Sequence, residues 1–590
     1  MIAIIDCGGQ YTHRIAQVVR SCGVESRIFP ANTDAYVLTR AGARGIIISG
    51  GPKSVYEEDS PVIDKGILGM KMPVLGICYG LQLIAKLLGG QVERVTARRE
   101  YGPATVHKKN NSTGGLLQDC SDNFTVWMSH GDSVTAIPMG FSIIASSPAC
   151  PYAAIADESR GFYGLQFHPE VQHAPDGRKI IQRFLALCNS PPWEPVNRIE
   201  SIIADIRQKA SNRQVLMLIS GGVDSAVAFK LIRMALPAER IHGLFIDNGL
   251  LRRGEVAQVM EDVRVLGECN LSLANAGAGF LSRLTNIVDP QAQRKIIGDY
   301  FIEVAHEQAG HIGFSSSDNW CLADGSIYPD VVESAGGIKT HHNRVETALG
   351  MVQAGRLIQP LADYYKDEVR EIGSEIGMPD SILGRHPFPG PGLAVRILCA
   401  LEEPPLLELK IESCLHHRVL PMYSVGVQGD QRTYKRAVAL WVDRPEVGIP
   451  SLAIETARQI PNKEPDVNRV LLCLSHYLPP EFIFTPTMIN PDTVDLLQVA
   501  DETVNTRLVL DDLYDKVWQF PIVLAPFGTK PGGRSVILRP VESQDGMTAT
   551  AVLLPPRFFA QVTEVLMRIP GIDAVFLDLS SKPPSTIELK

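Results

Sequence analysis

The run Val215-Leu216-Met217-Leu218-Ile219 passes into Ser220-Gly221-Gly222-Val223-Asp224-Ser225 and then into the apolar, helix-prone stretch Ala226 to Leu236, which leaves few options for the middle of this chain. An aliphatic run, a small-residue turn and a helical run read as strand, tight loop and helix. Two glycines permit positive φ and leave no Cβ in the way, so successive backbone N–H groups can converge on an anion. Ser220 and Ser225 add hydroxyls, and the helix N-terminus adds a favourable dipole. The loop is expected to cradle phosphate. It lacks the Gly-Lys-Ser/Thr ending of a Walker loop, so no lysine in it is placed to hold a transferring γ-phosphate.

Upstream, Ile2-Ala3-Ile4-Ile5-Asp6, Gly45-Ile46-Ile47-Ile48-Ser49 and Pro73-Val74-Leu75-Gly76-Ile77 are short aliphatic runs with helical patterns between them, which predicts parallel α/β structure. The third run delivers Gly76-Ile77-Cys78-Tyr79-Gly80 into a helical stretch, a nucleophile elbow with cysteine in the serine's place. Tyr163-Gly164-Leu165-Gln166-Phe167-His168-Pro169-Glu170 reads as another strand end, carrying an imidazole with a carboxylate two residues on. Cys, His and Glu together make the inventory of a thiol-based triad.

With Ile48-Ser49-Gly50-Gly51-Pro52 included, the first 190 residues resemble class I glutamine amidotransferases. The resemblance implies that Cys78 attacks the glutamine amide, His168 shuttles the proton, Glu170 orients the ring, and the N–H groups of Gly51 and Tyr79 form the oxyanion hole. His130, in Met128-Ser129-His130-Gly131-Asp132, fits the family pattern as a shaping residue. Ser-Gly-Gly-Val-Asp-Ser in turn resembles the loop of the ATP pyrophosphatase family, which grips pyrophosphate while ATP adenylates a substrate oxygen. Ammonia from the first unit would be the nucleophile that displaces AMP.

The Pro-rich stretch Asn189 to Pro195 marks a boundary. Beyond it Ile241 to Gly249 reads as a second strand of the ATP unit, with Asp247 at its C-terminal end, either facing the nucleoside or closing an Asx turn. Gln293-Arg294-Lys295-Ile296, Gly325 to Ser334, Ile338 to Asn343 and Arg385-His386-Pro387-Phe388-Pro389-Gly390-Pro391-Gly392 follow in order. These segments resemble the glutamine-hydrolysing GMP synthetase family over essentially the whole chain. In that family the segment with Gly325, Gly336 and Gly337 belongs to a mobile lid. Adjacent His341 and His342 would point to opposite faces of extended chain, so they are not expected to share a metal. One departure is Ala323-Asp324-Gly325, where the family usually has Ala-Gln-Gly.

The remainder contains two similar stretches, each a strand-rich segment, a helix, an Ile-Pro break and a strand. Ile460-Pro461 provides the break in the first and Ile569-Pro570 in the second. They match the duplicated C-terminal domain of the longer, eukaryotic-type family members. The tail Ser581-Lys582-Pro583-Pro584-Ser585-Thr586-Ile587-Glu588 resembles the family's closing motif for XMP. The resemblance implies that Arg294, Lys582 and Thr586 meet the XMP phosphate, and that Asp430, Gln519 and Glu588 hold the ribose or support those contacts.

The expected fold class is α/β, with four units. Residues 1–190 would be a class I glutamine amidotransferase and 196–400 an adenine-nucleotide α-hydrolase-like (ATP pyrophosphatase) domain. Residues 405–515 and 516–590 would be two α+β units of the dimerisation type, the second completing the XMP site. The family's reaction needs ATP with Mg²⁺, for which Asp224 is the expected protein ligand beside Ser220, Gly221, Gly222, Val223 and Ser225. The chain's net charge of −9 offers no general attraction for nucleic acid. Eleven cysteines without a Cys-x-x-Cys pair suggest neither a disulfide framework nor a zinc site. No apolar run approaches the ~20 residues of a membrane span, so a cytoplasmic enzyme is expected. Glutamine, ATP and XMP are the expected partners, with a monomer favoured over a weak homodimer. Rival readings are another adenylating amidotransferase, or a regulatory protein with a silenced glutaminase, against which the intact Cys78, His168 and Glu170 weigh.

Overall fold

The computed structural model describes residues 1–94, 100–109, 115–171, 173–192, 198–267, 269–313, 319–327, 355–409, 411, 413, 415–428, 431–476, 478, 480–543, 546 and 548–590. The anticipated lid from Tyr328 to Asn343, with His341 and His342, lies outside these residues, as do Asp430 and the end of the Pro-rich linker.

The N-terminal region forms a nine-stranded sheet. Its strands are β1 (Ile2–Asp6), β2 (Ser26–Pro30), β3 (Gly45–Ile48), β4 (Val74–Ile77), β5 (Glu100–Lys108), β6 (Asn123–His130), β7 (Ser142–Ser146), β8 (Ala154–Asp157) and β9 (Phe162–Leu165). The order is β2-β1-β3-β4-β9-β8-β7-β5-β6. The aliphatic runs expected to be strands are β1, β3 and β4, parallel to one another and to β9. From β8 onward the sheet turns antiparallel, a part of the topology the sequence reading left out. Helices α1 (Thr12–Ser21) and α2 (Tyr79–Leu87) cover its two faces, where the residues of β1, β3 and β4 alternate between separate buried clusters.

The middle region is a parallel sheet of β10 (Gln214–Ile219), β11 (Ile241–Asp247), β12 (Asn270–Asn275), β13 (Trp320–Ala323) and β14 (Leu357–Ile358), ordered β12-β11-β10-β13-β14. The helix after the phosphate loop, α3 (Val223–Ala235), begins at Val223 rather than Ala226, which puts Asp224 in its first turn. Of the two loop glycines only Gly221 uses a positive φ, +77°, while Gly222 is the extended N-cap. Two further helices matter for the site, α4 (Pro290–His311) and α5 (Lys366–Glu375).

The C-terminal region is one six-stranded sheet of β15 (His416–Gln428), β16 (Gln431–Trp441), β17 (Val467–Cys473), β18 (Ile522–Ala525), β19 (Arg534–Leu538) and β20 (Ile572–Asp578). Its order, β15-β16-β17-β20-β19-β18, reads the same from either end: an antiparallel pair, a parallel neighbour, and an antiparallel junction in the middle. Helix α6 (Ser451–Lys463) connects β16 to β17, α7 (Pro491–Leu510) lies between the halves, and α8 (Pro556–Leu566) connects β19 to β20. Ile460-Pro461 does not break the first helix. Pro461 lies inside α6, within its last turn, where it removes one i→i−4 hydrogen bond close to the helix end, and the helix runs on to Lys463. At the central junction Asp578 is buried between Arg469 and Arg539, with Arg539 Nη1 at 2.6 Å. A single buried apolar cluster runs from Leu216 and Leu244 in the middle sheet to Leu538 and Leu577 in the last, so the core continues across residue 400.

Candidate active sites

β4 ends one residue before Cys78, which takes φ 53° and ψ −105° as the N-cap of α2. That conformation is costly for a residue with a Cβ and is typical of an elbow that exposes a nucleophile. The flanking glycines are steric requirements. A Cβ on Gly80 would stand 2.3 Å from the Ile48 carbonyl oxygen, and one on Gly76 would stand 2.5 Å from Gly80 itself. The Cys78 N–H donates to the Leu165 carbonyl at 2.7 Å, which extends the β4–β9 ladder and brings the residues after β9 alongside the elbow.

His168 and Glu170 are both buried, and the ring's Nδ1 lies 2.6 Å from Glu170 Oε1. A carboxylate only accepts, so Nδ1 carries the proton and Nε2 remains for the sulfur. Burial by itself favours the neutral ring. The Glu170 carboxylate, and then the Cys78 sulfur, outweigh it and hold the His168 pKa well above the ordinary imidazole value. The expected oxyanion donors are also neighbours, since a Cβ on Gly51 would lie 3.2 Å from Tyr79 Cγ. Two supports were not legible in the sequence. Tyr11 stacks obliquely on His168 with ring centroids 4.6 Å apart, and Arg14 Nε donates to the Glu170 carbonyl at 3.1 Å.

At the end of β10 the Ser220 N–H donates to Ser225 Oγ at 3.2 Å, closing the loop over the start of α3. Gly325 packs directly under it, because a Cβ there would meet Ser225 Cα at 2.6 Å. Next to that glycine, the unusual Asp324 accepts from Gln359 Nε2 at 3.1 Å and from the Ser326 N–H at 2.8 Å. An amide from β14's neighbouring residue thus answers the carboxylate that replaces an amide. Asp247 accepts from the Gly249 N–H at 2.9 Å, the Asx turn that was one of its two readings. Lys366, which the sequence reading missed, reaches from the first turn of α5 to 3.7 Å from Asp224 Oδ2. Its signal was a Lys-Asp-Glu run opening a helix, ordinary in isolation.

The chain's end is folded in rather than solvated: Ser585, Ile587, Leu589 and Lys590 are all buried. Arg294, on α4, donates to the Lys590 carbonyl at 2.6 Å, and burial, then nearby Arg432, pulls its pKa below the usual guanidinium value. Gln519 Nε2 lies 3.2 Å from Glu588 Oε1, and Arg396 Nη2 lies 3.3 Å from the same oxygen. Arg396, fully buried and stacked over Phe388 at 5.1 Å, is a second residue the sequence reading missed. Arg294 Nη1 and Glu588 Oε2 are buried without a protein hydrogen-bond partner, as a polar ligand site would leave them. Lys582 Nζ instead donates to the Gly546 carbonyl at 2.6 Å, and the Thr586 hydroxyl is engaged with the Val425 carbonyl at 2.8 Å.

Comparison with known proteins adds an independent line. Residues 3–188 match the family model for class-I glutamine amidotransferases, and 506–589 match that for the GMP synthase C terminal domain. A probable glutamine-hydrolysing GMP synthase of Leptospira interrogans is 38% identical, the alignment covering 100% of this chain and 99% of that protein. The GMP synthase of Dictyostelium discoideum is 35% identical over 100% of this chain and 94% of its own length. That of Alkalilimnicola ehrlichii is 36% identical over 100% and 98%. With identity at that level sustained along the entire sequence, the chain belongs to the glutamine-hydrolysing GMP synthase family.

Proposed function

We propose that this chain makes GMP from XMP, with glutamine as nitrogen donor and ATP as activator. Residues 1–190 are assigned as the glutaminase and 196–400 as the ATP pyrophosphatase. The units at 405–515 and 516–590 are assigned to completing the XMP site. The Cys78 thiol attacks the glutamine amide carbon, and His168 takes the thiol proton and passes it to the leaving ammonia. The Gly51 and Tyr79 N–H groups hold the oxyanion, and water then releases glutamate from the thioester. At the second site ATP adenylates the C2 oxygen of XMP, leaving pyrophosphate among Ser220, Gly221, Gly222, Val223 and Ser225. Ammonia then displaces AMP. Arg294 and Lys582 supply positive charge for the XMP phosphate, with Thr586 beside it, and Gln519 and Glu588 hold the ribose side together with Asp430.

Mg²⁺ keeps most of its waters and binds through one or two carboxylates plus substrate phosphates, so Asp224, in the first turn beside the cradle, is its fitting protein ligand. When bound with ATP it would neutralise pyrophosphate charge. The observation that carries the reading is the coexistence of the strained Cys78 elbow and the phosphate loop in a chain whose full length aligns with GMP synthases. The reading includes cytoplasmic action on small molecules; no helix among the described residues is long and apolar enough to cross a membrane. The test follows XMP absorbance with glutamine, ATP and Mg²⁺. Conversion to GMP with release of AMP and pyrophosphate is expected, and hydrolysis of glutamine without any XMP-dependent AMP formation would reject the reading.

A further inference from the structure

Glu100 and His130 are cross-strand partners in the β5–β6 register. The turn after β7 brings Cys150 to the same place, so that one ligand atom from each of the three lies within 4.8 Å of the others. His130 and Cys150 are each 2% exposed. His130 Nδ1 lies 3.0 Å from the Asp132 carbonyl oxygen, which can only accept, so in the neutral ring the proton sits on Nδ1 and a lone pair on Nε2. That Nε2 is buried, makes no hydrogen bond, and lies 3.4 Å from Glu100 Oε2. A lone pair and a carboxylate so placed call for a cation between them.

We propose that Glu100, His130 and Cys150 form a binding site for a divalent transition metal of the zinc class, distinct from the magnesium that accompanies ATP. The separation of Nε2 and Oε2 is that of two tetrahedral ligands at about 2.0–2.1 Å from one ion. The donor set of thiolate, imidazole and carboxylate selects zinc-like ions over magnesium or calcium, which take oxygen alone. The outer contacts are those a metal site uses. The Asp132 carbonyl fixes the ring, and Ser147 Oγ accepts from the Cys150 N–H at 2.9 Å while lying 3.4 Å from Glu100 Oε1. The Glu100 side chain is 16% exposed, which leaves the fourth position to water. The Asp132 carbonyl that orients His130 also accepts from Gln82 Nε2 at 3.0 Å, and Gln82 lies 3.3 Å from Gln166, whose amide is 3.7 Å from the Cys78 sulfur. An ion there would tie β5, β6 and the 147–150 turn together behind the glutaminase nucleophile.

The test titrates the chelator-stripped full chain with Co²⁺ as an optical probe, then displaces it with Zn²⁺. A single equivalent of Co²⁺ should give a near-ultraviolet thiolate-to-cobalt charge-transfer band that Zn²⁺ removes. Cys150→Ser should abolish the band, Glu100→Gln should weaken Co²⁺ binding at least as much as loss of an outer-shell partner does, about tenfold or more, and Cys78→Ala should leave it intact. Absence of the band, its survival in Cys150→Ser, or its loss in Cys78→Ala alone overturns the site. Should Cys150→Ser fail to fold, Glu100→Gln decides: unchanged affinity there overturns the proposal.

Discussion

Lys366 Nζ stands 3.7 Å from Asp224 Oδ2, while the next residue, Asp367, accepts a hydrogen bond from Gln17 on α1. One turn of α5 therefore touches both the phosphate cradle and the helix that carries Arg14 to Glu170. Within that arrangement Asp224 is the candidate magnesium ligand. Asp224→Ala should lower XMP amination by about 100-fold or more, close to 2.7 kcal/mol of transition-state stabilisation, with glutamine and with ammonium salt alike. Basal glutamine hydrolysis should survive. A normal ammonia-dependent rate would reassign Asp224 to loop structure.

The Gln17–Asp367 contact crosses between the two catalytic regions, and Arg20 adds a hydrogen bond to the Asp363 carbonyl at 3.1 Å. Gln17→Ala removes one side of this tie together with the Oε1 that accepts from Arg14 Nη1 at 2.6 Å, so basal glutamine hydrolysis is measured alongside. More glutamine should then be consumed per GMP formed, with ammonia-dependent synthesis unchanged. Parallel assays of glutamate and GMP measure the ratio, and an unaltered ratio would show that the contact only packs.

In the proposed mechanism the Cys78 thiol serves only to release ammonia and has no part in adenylation. Cys78→Ala should therefore abolish glutamine-dependent synthesis and spare synthesis from added ammonium salt. Glutamine-dependent turnover retained by this variant would remove Cys78 from the mechanism.

His168 is held above its unfolded value of about 6.5, with Glu170 the larger favourable partner against the cost of burial. The stability from that pair is fully present below the unfolded value and fades as pH rises through the raised folded one. Glu170→Gln should accordingly lower the melting temperature most at mildly acidic pH, and the gap from the parent should narrow as pH increases. A gap that widens with pH would mean that the ring is not charged in the folded protein.

The α/β architecture and the catalytic motifs were legible because each is written locally. β3, β4 and the Gly-x-Cys-x-Gly turn announce themselves by aliphatic runs and by small residues where backbones touch. Lys366, Arg396, Tyr11 and Arg14 were not legible. Each is an ordinary residue on a helix or turn, and its importance comes from what a distant segment brings to it, as Glu588 comes to Arg396 across 192 residues. The antiparallel half of the first sheet was missed because its long strands, Glu100–Lys108 and Asn123–His130, mix polar and charged residues with apolar ones and show no aliphatic run. Pro461 misled because a proline in a helix's last turn has the same sequence signature as a break.

The last prediction concerns assembly. A unit of the dimerisation type that pairs with a second copy across a two-fold axis needs one surface twice. Here the equivalent of such a pairing lies inside one chain: β17 and β20 run antiparallel at the centre of the sheet, with Leu472 opposite Leu577 and Cys473 opposite Phe576. The buried Asp578 between Arg469 and Arg539 pins the same junction, and removing one partner of such a group costs on the order of 3–5 kcal/mol. Both faces of the sheet are already covered, one cluster containing Leu472 and Leu577 and the other Leu471 and Phe576. The expected state is a monomer in dilute solution, and Asp578→Asn should destabilise it without producing a dimer. Analytical ultracentrifugation near micromolar concentration, with and without XMP, measures this. A dimer that persists on dilution to nanomolar levels would show that the internal junction does not take the place of pairing between chains.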